Sequence, residues 1–192
     1  MSTLLFDLLA PEEASHRRLS CDIELIGTRL VAATEWVRRQ GDVGWSPCGL
    51  FGTGTGGSGA LWAAPNAVEI GAVVSRGGRL DLLGDRLPLV RCPTLLIVGE
   101  DDADLLPAHR RAAAHLQDPS RMVTVPGATP LFEQAGVLGT VAELACHWFD
   151  EFLVGRKFDR PSRETNKDRG GRSGAGTIRP TMADPALSSR GR

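Results

Sequence analysis

Between Cys48 and Ala64 a short apolar run breaks into Gly52-Thr53-Gly54-Thr55-Gly56-Gly57 and reopens as a helical pattern that Pro65 ends. A strand that turns into a helix through so many glycines brings its backbone unusually close to something, and two physical readings fit. In the first, Gly52, Gly54 and Gly57 form G-x-G-x-x-G, where glycines let the chain approach a pyrophosphate at a helix N-terminus. That reading expects an acid about twenty residues on to hold a ribose. The next strand ends instead at Ser75-Arg76, and no Lys-Ser or Lys-Thr follows to make a Walker loop. In the second, Gly52-Thr53-Gly54-Thr55-Gly56 has the form of G-x-S-x-G, the sharp turn that presents a nucleophile, with Gly54 in the middle.

The surroundings of the turn favour an α/β chain. Short apolar runs alternate with helical periodicity, as in βαβ units. Strands are expected at Leu4–Leu9, Cys48–Phe51, a run ending near Ser75, Thr94–Val98 and Met122–Val125. The Thr94–Val98 run is continuously apolar, as a strand buried on both faces should be. Helices are expected from Asp22 to about Arg39, at Ser58–Ala64, near Asp104 and Pro107, and over Leu138–Phe152, where Leu138, Val141, Ala145, Trp148 and Phe152 share a face. The expected fold is an open, mainly parallel, doubly wound sheet, with its site at the carboxyl ends of the strands. Three loops gather there: the glycine turn, GEDDADLL and PGATPLF.

An elbow hydrolase places an acid after a later strand and a histidine after the last one. LLIVGEDD puts Asp102 at the first of these places, and VPGATPLF occupies the second. With LLFDLLAPEE, RLVAATEWVR, GLFGTGTGGSGAL, AVVSRGGRLDL, PTLLIVGEDD and VPGATPLFEQAGVL in this order, the chain resembles the dienelactone-hydrolase-like α/β-hydrolases over nearly all of residues 1–153. That family typically shows Gly-Ala-Ser-Thr-Gly at the elbow, Gly-x-x-Asp after the next-to-last strand and Pro-Gly-Ala-Thr-His-Leu-Phe after the last. The resemblance implies ancestral hydrolysis of a small ester or lactone through a serine acyl-enzyme. It puts the acid on Asp102, the nucleophile on Gly54 and the base on Pro130, with Gly52, Thr53, Thr55 and Gly56 shaping the elbow.

Glycine carries no nucleophile and proline cannot accept a proton, so no triad catalysis is expected. Ser58 lies four residues past the tip, one helical turn deeper, and reads as a small residue that lets helix and sheet pack. As a displaced nucleophile it is the weaker reading. Thr53 and Thr55 flank the tip without a base. Of the four histidines, His109 and His115 sit in HRRAAAHL and are expected to face solvent, and none lies in the loop after the last strand. The resemblance further implies a strand and an oxyanion loop ahead of LLFDLL that this sequence does not contain. Either LLFDLL crosses over to pair with CGLF, or an exposed edge remains that invites self-association.

The remaining composition bounds the partners. From Val154 onward ten basic residues stand against four acidic ones, with no aromatic after Phe158. Residues 154–192 are therefore expected to be a solvated, disordered tail rather than a nucleic-acid arm, beside a truncated hydrolase-like domain at 1–153. The four cysteines show no C-x-x-C pair, so reduced thiols are expected and no metal. No apolar run approaches the ~20 residues of a membrane span and no secretory leader is evident, so a cytoplasmic protein is expected. No cofactor is expected outside the dinucleotide reading; the expected partner is a small-molecule ligand.

Overall fold

The computed structural model describes residues 2–41, 46–117 and 119–154, all within one unit, Met1–Arg160. The tail read from the sequence lies outside the described residues except for Val154. Two single-turn helices, α1 (Pro11–Ala14) and α2 (Arg17–Ser20), lead into α3 (Ile23–Arg38). Four strands follow, β1 (Cys48–Thr53), β2 (Ile70–Arg76), β3 (Thr94–Gly99) and β4 (Ser120–Val125). Between and after them come α4 (Thr55–Ala63), 3-10 turns at Leu80–Leu82 and Gly84–Leu89, α5 (Leu106–Ala113) and α6 (Val137–Leu153).

The strands pair in parallel in the order β1-β2-β3-β4, each beside its predecessor in sequence. Side chains alternate across such a sheet, and the core divides accordingly. Leu50, Val73 and Leu96 pack on one face with Ile23 and Ile26 of α3, Ala60 and Leu61 of α4, and Ala112 of α5. Ala72, Val74, Leu95 and Ile97 pack on the other with Val141, Ala145, Trp148 and Phe149 of α6. Helices thus cover both faces, and every residue of β3 is buried. Asp22 starts α3 by accepting the Leu25 N–H at 3.0 Å, as an N-cap should. Where α3 crosses α4 the backbones come close: a Cβ on Gly27 would stand 2.3 Å from the Trp62 ring, and one on Gly59 2.4 Å from Ile26. Among the described residues no helix is long and apolar enough to cross a membrane.

One expected strand is absent. Residues 4–9 form no strand, and Leu4, Leu5 and Phe6 are exposed. The segment is held only at its end, where Leu8 and Leu9 pack on the core and the Arg29 guanidinium donates to the Leu8 carbonyl at 2.8 Å. An apolar run becomes a strand by pairing, and no described strand lies beside it to complete a ladder. Of the two expected outcomes, LLFDLL does not cross over, and β1 remains an edge among the described residues.

Candidate functional site

The turn after β1 bends at Gly54, whose φ of 55° and ψ of −127° no side-chain-bearing residue adopts without strain. Its N–H donates to the Arg76 carbonyl at the end of β2 (3.0 Å), and its own carbonyl accepts from Gly57 (3.1 Å) and Ser58 (3.4 Å). The glycines around it have separate steric reasons. A Cβ on Gly52 would meet the Gly56 carbonyl oxygen at 2.3 Å, and one on Gly57 would meet Ser75 Oγ at 2.5 Å. At Gly54 itself a Cβ would have nothing within 4 Å. The turn is therefore closed on its inside and open at its tip. Thr53 is exposed, and Thr55 and Gly56 are half-buried.

Ser58 is fully enclosed on α4, and among the described residues its Oγ has no hydrogen-bond partner. Ser75 on β2 is enclosed and unpartnered in the same way. Gly78 lies against both, since a Cβ there would stand 2.4 Å from Ser75 Oγ and 3.6 Å from Ser58 N.

The loops after β3 and β4 are stitched together by backbone. Glu100 N–H donates to Val125 O (3.0 Å) and Asp101 N–H to Ala128 O (3.1 Å), and a Cβ on Gly99 would fall 2.2 Å from Ala128 O. This fixes Asp102 just before α5. Its side chain is 1 % exposed; Oδ1 accepts the Leu105 N–H at 2.9 Å, while buried Oδ2 takes no hydrogen bond from any described residue. Asp101 beside it is exposed. Pro130 lies on the facing loop, and the Gly77 backbone after β2 comes within reach of Pro130 O and the Phe132 ring. Phe132 is buried at a φ of 57°, and the Arg76 guanidinium stands 5.1 Å from its ring centroid.

Asp102 and Pro130 line one cavity of about 480 Å³ at the carboxyl ends of the strands. Leu105 and Ala108 supply apolar wall, and Arg79, Asp81, Asp104 and Arg111 supply charge. Arg79 is engaged by Asp81 through two hydrogen bonds of 2.9 and 2.7 Å, which hold the Asp81 carboxyl below its ordinary pKa. Gly54 is not among the lining residues. The structure thus brings the acid and base positions together and leaves the elbow tip outside their cavity.

His109 corrects the sequence reading. It is fully buried, not solvent-facing, because Ala108, His109 and Ala112 share the inner stripe of α5. Nδ1 lies 3.0 Å from the Leu105 carbonyl; a carbonyl only accepts, so Nδ1 carries the proton and Nε2 is left as a buried acceptor. Burial pushes its pKa below the ordinary histidine value, against the Leu105 carbonyl and the charges of Asp102 and Asp81. The spacing of Ala108, His109, Ala112 and Leu116 was the signal that could have placed it inward. Arg79 and Asp81 lie in AVVSRGGRLDL and Arg111 in HRRAAAHL, but nothing in either stretch marks them as cavity residues, so only the fold assembles them there. Among the described residues no group of histidine, cysteine and acidic side chains is arranged to hold a metal.

A dienelactone hydrolase of Anabaena variabilis superposes with a TM-score of 0.71 at 44 % identity, over 77 % of this chain and 70 % of that one. The chain belongs to the dienelactone-hydrolase-like α/β-hydrolase family. The esterase domain of a Rhodothermus marinus protein shares the fold, with a TM-score of 0.58 at 20 % identity over 66 % of this chain and 69 % of that one. Two curated proteins from Mycobacterium tuberculosis strains, each named "Putative phosphoribosyl transferase", are 50 % identical to this dienelactone-hydrolase-like chain over 155 residues. The match covers 80 % of this chain and 35 % of each of them, so the chain spans about a third of their length. No family model matches the chain.

Proposed function

We propose that this chain is a hydrolase-fold module that binds a small molecule in the Asp102 cavity and performs no acyl-enzyme chemistry. One observation carries the reading: Gly54 has the bend and the open tip of a nucleophile position and no oxygen to attack with. Pro130, at the base position, has neither a lone pair to take a proton nor a donor to orient one. Among the described residues no other group supports a substitute. Ser58 is enclosed, Thr53 and Thr55 have no base, and His109 holds its Nδ1 proton on the Leu105 carbonyl.

The dinucleotide reading of Gly52, Gly54 and Gly57 has less support, because the Gly54, Gly57 and Ser58 amides are spent within the protein and cannot cradle a phosphate. The phosphoribosyl transferase name belongs to longer relatives. On the present reading, the third of them that matches this chain is a hydrolase-like module beside whatever the remainder does.

The test is intact-mass analysis after exposure to a fluorophosphonate, with the Gly54→Ser, Pro130→His double variant in parallel. The expected result is an adduct on the variant alone, because the tip has room for a side chain. An adduct on the native chain, mapped to Ser58 or any other residue, would overturn the proposal.

A further inference from the structure

The Asp102 cavity holds an imbalance that the chain does not resolve by itself. A buried carboxylate oxygen without a donor is among the costlier arrangements in a protein interior. Asp102 Oδ2 is such an oxygen, on a side chain 1 % exposed, in the lining of a cavity of about 480 Å³. The other charges do not serve it. Arg79 is taken up by Asp81, and Asp104 and Arg111 are exposed residues of the lining. With Asp81, Asp102 and Asp104 against Arg79 and Arg111, the lining carries one more acid than base.

We infer that Asp102 anchors a subsite for a small organic cation with a planar N–H donor group, seated between Asp102 and Pro130. This rests on the cavity half of the function proposed above. An anionic ligand would meet the buried carboxylate, and an apolar one would leave Oδ2 unpaired. A cationic N–H donor answers both the charge and the missing hydrogen bond, as charge-assisted bonds do best. The flanking Pro130, Ala108 and Leu105 offer small apolar walls suited to the faces of a flat group. Asp102 Oδ1 keeps its bond to Leu105 throughout, so the carboxylate is held in place before the ligand arrives.

Imidazolium, at about pH 6 where most of it is charged, is the probe, followed by amide correlation spectra of the folded chain. Saturable shifts centred on Asp102, Leu105 and Ala108 are expected. Asp102→Asn retains the acceptor for Leu105 N–H and should weaken binding about tenfold or more, the weight of one charge-assisted hydrogen bond. Asp104→Asn, at the exposed part of the lining, should change it by less than about twofold, as surface charges do. Pro130→His should block the probe, since a tethered imidazole outcompetes a free one. Each variant's own spectrum reports whether it is folded.

The subsite is overturned if no shifts appear at roughly 0.1 M imidazolium, beyond the range expected of a five-atom ring. It is equally overturned if Asp102→Asn binds as tightly as the native chain, or if Asp104→Asn weakens binding as much. Failure of the inactivity proposal is separable: a native fluorophosphonate adduct with imidazolium still bound at Asp102 removes the inactivity and leaves the subsite.

Discussion

The glycine turn and the Asp102 corner are built in opposite ways. At the turn the backbone is specific and the side chain is absent: Gly54 holds a strained bend with an open tip and carries no side chain. At the corner the side chain is specific and its partner is absent: Asp102 is buried, oriented through Leu105 and left, among the described residues, with one oxygen unmet. Shape in the first case is secured by sterics, independently of any reaction. The side chain in the second is held by the turn leading into α5, whose Leu105 N–H it accepts.

This contrast predicts an order of mutational cost. The largest effect belongs to Gly52→Ala, whose methyl would be driven into the Gly56 carbonyl at 2.3 Å; a loss of about 3 kcal/mol is expected, read from the denaturant midpoint. Gly54→Ala meets nothing within 4 Å and strains only the backbone, so about 1–2 kcal/mol is expected. Equal losses at the two positions would show that the turn is not held closed by the Gly52–Gly56 approach.

At the corner, Asp102→Ala should cost about 1 kcal/mol through the lost bond to the Leu105 N–H in the turn before α5. Asp102→Asn, which keeps that acceptor and removes a buried charge, should cost less than half as much. If Asn is as damaging as Ala, the charge itself is stabilising and the corner is not the unresolved site described above.

The smallest effect concerns pH. Burial depresses the His109 pKa from the 6.5 of an unperturbed imidazole. Below about pH 6.5 the unfolded chain takes up a proton that the folded chain refuses, so His109 makes the protein lose stability on acidification. His109→Gln should flatten the fall in unfolding free energy between neutral and mildly acidic pH. An unchanged slope would mean that His109 is protonated in the folded state.

Much of this was legible beforehand because it is local. The β1 turn, the continuous apolar run of β3 and the acid at Asp102 are each specified within a few residues, and their strands appear with shifts of only a residue or two at the ends. LLFDLL was misread because its apolar pattern describes what a strand would look like, whereas strand formation depends on a neighbour that pattern cannot report. His109 was misread because its arginine neighbours suggested solvent, while the three-and-four spacing of Ala108, His109 and Ala112 decides the side of α5 that meets the sheet. The charged lining of Arg79, Asp81 and Arg111 had no signature as a lining, because the first two come from the turn after β2 and the third from α5, which only the fold brings together.

The strand order described above has a consequence for how the chain acquires its structure. Because each strand lies beside the one that precedes it in sequence, every parallel pairing closes through one intervening connection, and no pairing waits for a distant segment. Short closures are entropically cheap and fast. Each parallel pair closes through a single connection, so the sheet is assembled from neighbours in sequence. The Asp102 corner, made by the last two strands, comes together only when that pair has closed.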